Sequence, residues 1–248
     1  MVTRTKDAMR HGEIFIGCSG WAYPSWKPEF YPPSVPAKKF LEHYATRLNS
    51  VEVNYTFRSL PSESTVQSWL ASTGEDFRFS FKAPQRITHI LRLKDCREAL
   101  DRFANSIAPV SKAGRLGVIL FQLPPNMKAD RERLAGFLDD AQQIGFRLSF
   151  EFRNASWFDE STYALLRKHS AALCIAESDE LITPGEITAP FTTYRLRKTN
   201  YSAADLAAIR ETLKARAAQG DVFAYFKHED EPTGALRATE VLEGLRGT

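Results

Sequence analysis

What most restricts the fold of this chain is a set of apolar runs that each finish in charged or amide side chains. The clearest are Leu116-Gly-Val-Ile-Leu-Phe-Gln122, followed by Leu-Pro-Pro125, and Leu148-Ser-Phe-Glu-Phe-Arg153. β-Rich runs of this kind fall near residues 13–18, 50–55, 77–82, 116–122, 146–152, 171–176, 191–196 and 221–226. Helical periodicity occupies 37–48, 64–71, 96–111, 130–144, 161–168, 203–218 and 235–245. Ser202 with Asp205 predicts one helix start, and Gly220 predicts a stop after Gln219. Between the sixth and seventh strands, Glu177 to Pro190 is broken by Pro184, Gly185 and Pro190 and reads as a loop.

Alternating strands and helices leave an open doubly wound sheet or a closed (β/α)8 barrel, and eight units favour the barrel. At 248 residues, with 43% apolar and 25% charged residues, the chain suits one barrel domain over 13–248 after a polar N-terminal tail at 1–12. The net charge of +3 gives no bulk attraction for nucleic acid or anionic membrane. Cys18, Cys96 and Cys174 are widely spaced, so neither a disulfide framework nor a zinc ribbon is indicated. With no secretory or membrane-spanning apolar run in the sequence, the expectation is a cytoplasmic protein, and the Asn-x-Ser/Thr matches at Asn54, Asn154 and Asn200 are discounted.

Residues two apart share a face of a strand. Placing the apolar positions against the helices turns Glu52 and Asn54, Ser80 and Lys82, Gln122, Ser149, Glu151 and Arg153, and Arg195 and Arg197 into the barrel. In such barrels ligands meet the C-terminal strand ends. Lys82, Arg153, Arg195 and Arg197 against Glu52 and Glu151 leave an excess of two positive charges there, which an anion would balance. Arg153 and Arg195 are the expected anion clamps, because a guanidinium fork matches phosphate or carboxylate. Glu52 and Glu151 are the expected acid or base, with Asn54, Lys82, Gln122, Arg197 and His228 on the substrate. The competing reading is a salt-bridged plug that fills the barrel, with Glu177, Asp179 or Glu229 adding negative charge.

His89 and His228 follow strands three and eight and could overhang the mouth. No His-Glu-x-x-His motif, Walker loop or Gly-x-Gly-x-x-Gly fingerprint occurs, so no metal and no cofactor are expected; a single cation on Glu52, Glu151 or Asp230 is the disfavoured alternative. Gly17-Cys-Ser-Gly20 lacks the last glycine of a nucleophile elbow, where Trp21 stands, and reads as a turn. The loop Trp21 to Pro36, with Tyr23, Trp26, Phe30 and Tyr31, could cover one side of the mouth.

Several motifs in order carry a family likeness: Gly17-Cys-Ser-Gly-Trp21 with Tyr23 and Trp26, Phe30-Tyr-Pro32, Val51-Glu-Val-Asn54, Lys82-Ala-Pro84, Leu120-Phe-Gln-Leu-Pro-Pro125 and Glu151-Phe-Arg153 with Ser156-Trp157. From about Ile14 to Leu245 the chain resembles the YecE-like family, domain of unknown function 72. The resemblance implies a TIM-type barrel and carries no established activity. The chain departs from the pattern the resemblance implies at two places, with Arg195-Leu-Arg-Lys198 in place of Arg-Leu-His-Gly and Lys227-His-Glu-Asp230 in place of Asn-Asn-Asp. Three functions are weighed: an enzyme on a small anionic, phosphate-bearing substrate; a nucleic-acid binder stacking bases on Trp21, Tyr23 and Trp26; and a carbohydrate-active enzyme using paired carboxylates.

Overall fold

The computed structural model describes residues 11–177, 181–227 and 231–247. Its eight strands are β1 (Ile14–Cys18), β2 (Ser50–Val53), β3 (Arg78–Lys82), β4 (Leu116–Gln122), β5 (Leu148–Glu151), β6 (Ala172–Glu177), β7 (Phe191–Leu196) and β8 (Asp221–Phe226). All paired neighbours run parallel, in the order β1-β8-β7-β6-β5-β4-β3-β2. The helices are α1 (Phe40–Arg47), α2 (Glu63–Ala71), α3 (Arg97–Lys112), α4 (Arg131–Gln142), α5 (Glu160–Lys168), α6 (Ala203–Ala217) and α7 (Thr233–Arg246). This is the expected TIM-type barrel in a single domain.

Local chemistry sets the element ends. Ser62, Asp130 and Asp159 each accept from a backbone N–H three residues on, and Ser202 forms a reciprocal capping box with Asp205. The helix preceding Gly220 stops at Ala217; Gly220 itself lies at φ +150° where the chain turns into β8. Between β6 and β7 the described residues form no helix, as the prolines require. Thr188 straps this loop down, its Oγ1 accepting from Leu173 N (2.8 Å) and donating to Ala171 O (2.7 Å).

Strand residues facing outward meet the helices: Phe79, Phe81, Phe121 and Phe150, with Phe152 just after β5, share one core with apolar helix stripes such as Leu100, Phe103, Ile107 and Val110 of α3. Inside, Phe15, Val118, Ala172, Phe191, Phe223 and Tyr225 close the N-terminal end, with Phe15 stacked on Phe223. Above them Tyr225 Oη bonds Ser50 Oγ (2.7 Å) and Ser80 Oγ (2.6 Å), and Ser149 Oγ bonds Thr193 Oγ1 (2.6 Å). This floor separates the C-terminal mouth from a cavity of about 500 Å³ at the N-terminal strand ends, lined by Phe15, Arg78, Arg147 and Phe191.

Side chains, rather than a strand ladder, join β1 to β2. Asn49 accepts from Ile16 N (2.7 Å) and donates to Ile14 O (2.9 Å), imitating a peptide group of the neighbouring strand. Tyr44 Oη accepts from Cys18 N (2.7 Å) and donates to Ser50 O (2.9 Å). Asn54 Nδ2 donates to Ser19 O (3.0 Å) at the top of the seam. The strands come this close because residue 17 is glycine: a Cβ there would lie 1.8 Å from Ser50 O.

Candidate functional site at the barrel mouth

The strand alternation brings Glu52, Lys82, Gln122, Glu151, Arg195 and Arg197 to the C-terminal mouth from β2, β3, β4, β5, β7 and the residue after β7. At its base lies a buried ionic triad. Arg195, 1% exposed, donates from Nη1 to Glu151 Oε2 (2.5 Å) and from Nη2 to Glu52 Oε1 (2.7 Å), and both carboxylates are 2% exposed. Gln122 Nε2 donates to Glu151 Oε1 (2.8 Å), and Arg153 Nε approaches the same oxygen at 3.5 Å from a partly solvated position.

Burial pushes the Glu151 carboxyl up, but Arg195, then Arg197 and the hydrogen bonds from Arg195 and Gln122, outweigh it and hold the pKa at about 2. Burial likewise works against the Arg195 charge, and Glu151 and Glu52 more than reverse it, so this guanidinium is held firmly cationic. A carboxylate that stays ionised down to such pH is a poor match for proton exchange near neutrality. Arg195, expected as an anion clamp, has both terminal nitrogens committed to protein carboxylates. The plug reading thus describes the base of the mouth, formed by Glu52, Glu151 and Arg195, while Glu177 pairs with Lys198.

Above the triad, Lys82 and Arg197 have no ion-pair partner among the described residues, while Arg153 reaches Glu151. Lys82 makes no ion pair among the described residues; its Nζ stands 4.1 Å from the centroid of the Phe57 ring. Burial lowers its pKa first and Arg195 adds to this, with Glu52 and Glu151 opposing, to a value of about 8. The Arg197 pKa is lowered by burial and by Arg195, and its buried Nε has no hydrogen-bond partner among the described residues. Asn54 Oδ1, Ser19 Oγ and Arg195 Nε are also buried without a hydrogen-bond partner among the described residues. Two cavities meet at Arg197: one of about 440 Å³ with Asn54, Phe57, Arg58, Lys82 and Arg195, and one of about 120 Å³ with Glu151, Arg153 and Thr183.

His89 sits beside this region, its ring edge-on to Phe57 at 5.1 Å. Burial lowers its pKa, and Lys82, Arg153 and Arg92 add to the effect. His228, with Asp179, Glu229 and Asp230, lies outside the described residues. Strand alternation could not reveal Phe57 and Arg58, which stand in and just after a short 3₁₀ turn following β2. Among the described residues no group of three His, Cys, Asp or Glu side chains is arranged to hold a metal ion.

The aromatic loop is largely committed to packing. Trp26, Phe30 and Tyr31 are buried, Tyr31 stacks on Phe40 at 4.1 Å, and Tyr31 Oη donates to Trp21 O (2.6 Å). Trp26 therefore offers no face to a nucleic-acid base, contrary to the expectation for a base-stacking platform. Trp21 and Tyr23 remain half-buried.

The family described as "Protein of unknown function DUF72" matches residues 15–248. The chain belongs to the DUF72 family. It is 30% identical over 155 residues to the UPF0759 protein YunF of Bacillus subtilis, covering 60% of this chain and 54% of that protein. It is 35% identical over 111 residues to the UPF0759 protein YecE of Escherichia coli, covering 45% of this chain and 38% of that protein. The chain thus spans about half of YunF and under two fifths of YecE in these matches. The crystal structure of a DUF72 family protein from Thermotoga maritima superposes with a TM-score of 0.83 at 25% identity, covering 94% of this chain and 99% of that one. No helix among the described residues is long and apolar enough to cross a membrane.

Proposed function

We propose that this DUF72 barrel is an enzyme that binds a small anionic, phosphate-bearing substrate above the Glu52–Arg195–Glu151 triad. The observation that carries the reading is Arg197, where the two cavities meet, with a buried Nε that no described residue satisfies. An unpaired buried guanidinium N–H costs free energy that a phosphate or carboxylate oxygen would recover. Arg153, Arg58 and Lys82 surround the same space with positive charge, while the mouth carboxylates are already engaged by Arg195.

In this reading Glu52 and Glu151, expected from the sequence to move protons, hold Arg195 and set the local field. Lys82, near its midpoint at about 8, is better matched to proton transfer. The carbohydrate alternative is disfavoured because a sugar oxygen between the two carboxylates would have to displace Arg195. Melting temperature measured against a panel of phosphorylated sugars and nucleotides tests the proposal. A phosphorylated compound should raise the midpoint of the native protein and much less that of Arg197→Met. If no phosphorylated compound shifts the native protein, the anion site is refuted.

A further inference from the structure

The amine of Lys82 is set apart from the other charges of the mouth. Glu52 and Glu151 are taken by Arg195, so neither neutralises it at contact distance. Its Nζ lies over an aromatic face and lines the larger cavity. Facing it are Glu52 from β2, Glu151 from β5, and Arg195 and Arg197 from β7 and its end, with Arg58 on the cavity wall. His89, whose own proton Lys82 helps to repel, adds no negative charge. Burial in this cavity and the charges of Arg195 and Arg197 favour a neutral amine and outweigh the opposing pull of the Phe57 ring, Glu52 and Glu151, and a neutral amine is a nucleophile. The lowered pKa of about 8 agrees with this geometry.

We propose that Lys82 is a covalent nucleophile that forms a Schiff base with the carbonyl carbon of a phosphorylated aldehyde or ketone, whose phosphate is held by Arg197 and Arg58. The inference rests on the anion site above and deepens it by naming the substrate class. In the first step the Nζ lone pair forms a C–N bond. The carbonyl oxygen takes a proton from solvent and the nitrogen loses one, giving a neutral carbinolamine. The hydroxyl group then departs as water on gaining a proton, while the nitrogen lone pair forms the C=N bond, leaving a protonated imine. Across both steps one carbonyl, one neutral amine and one proton give one iminium and one water, with no oxidant or reductant. Arg195 and Arg197 would repel the cationic imine, and Glu52 and Glu151 would compensate that repulsion.

The test is reductive trapping of the full-length protein with glycolaldehyde phosphate and sodium cyanoborohydride, which delivers hydride to the iminium carbon and fixes it as a secondary amine. Peptide mass mapping then locates the adduct. The expected result is dominant modification of Lys82, at about tenfold lower aldehyde concentration than neutral glycolaldehyde requires, with inorganic phosphate competing. Lys82→Arg keeps the charge and removes the reactive amine. It should lose the adduct while inorganic phosphate still raises its melting temperature. Modification spread evenly over exposed lysines such as Lys38 and Lys112 would overturn the inference. So would an unmodified Lys82 in a protein that phosphate still stabilises, a result that leaves the anion site standing. Equal modification of Lys82 by both aldehydes, with no effect of phosphate, would overturn the anion site and the assignment of substrate class.

Discussion

Replacing Glu151 by glutamine asks how much the triad stabilises the barrel. The native carboxyl is held at about 2 against an ordinary value of 4.5. Because each pKa unit corresponds to about 1.4 kcal/mol, its ionised form contributes about 3 kcal/mol near neutral pH. The folded pKa lies below the unfolded one, so this contribution is complete above about 4.5 and disappears as pH falls through about 2. A second route gives the same size: removing one partner of a buried ion pair costs roughly 3–5 kcal/mol. In the variant Arg195 retains Glu52 as its partner, and one of the two donors on Glu151, Arg195 Nη1 or Gln122 Nε2, meets an amide N–H in place of an oxygen.

Urea unfolding near neutral pH should therefore show a loss of about 3 kcal/mol with an unchanged denaturant slope. For a chain of this length that loss lowers the melting temperature by about 6–12 °C. Between about pH 5 and pH 2 the native protein should lose stability more steeply than the variant, so that the two curves converge in acid. A loss below about 1 kcal/mol with parallel pH curves would refute the reasoning, since Glu151 would then be neither strongly paired nor strongly shifted.

Two further perturbations address the seam. Tyr44→Phe leaves the Cys18 N–H and the Ser50 carbonyl without their partner, and should cost roughly 2–4 kcal/mol with faster hydrogen exchange at Cys18; native exchange rates there would refute the bridging role. Gly17→Ala should yield no folded barrel by circular dichroism and gel filtration, because its Cβ would meet the Ser50 carbonyl, whereas Gly74→Ala, with no heavy atom within 4 Å of the added carbon, should fold as the native chain does.

Much of the barrel is legible in the sequence because strand alternation and helix periodicity are local. Every expected strand and helix has its counterpart, and the proline-broken stretch after β6 has no helix among its described residues. The same alternation placed Glu52, Lys82, Gln122, Glu151, Arg195 and Arg197 at one mouth. It could not show how their charges would be shared. That Arg195 faces two carboxylates depends on β2, β5 and β7 curving around a common axis, with partners 143 and 44 residues apart in the chain. Phe57 and Arg58 escaped notice because the turn holding them has no strand period.

The sequence by itself determined which residues look inward, since a side chain's face follows from its place in a short repeat. Only the tertiary structure decided which inward charges cancel and which remain for a ligand. Glu52, Glu151 and Arg195 pair with one another at the base and leave one net negative charge there, while Lys82 and Arg197 stand above them without an ion-pair partner among the described residues. The physical reason is that Coulomb energy depends on distance and burial, and both are fixed only once the barrel is assembled.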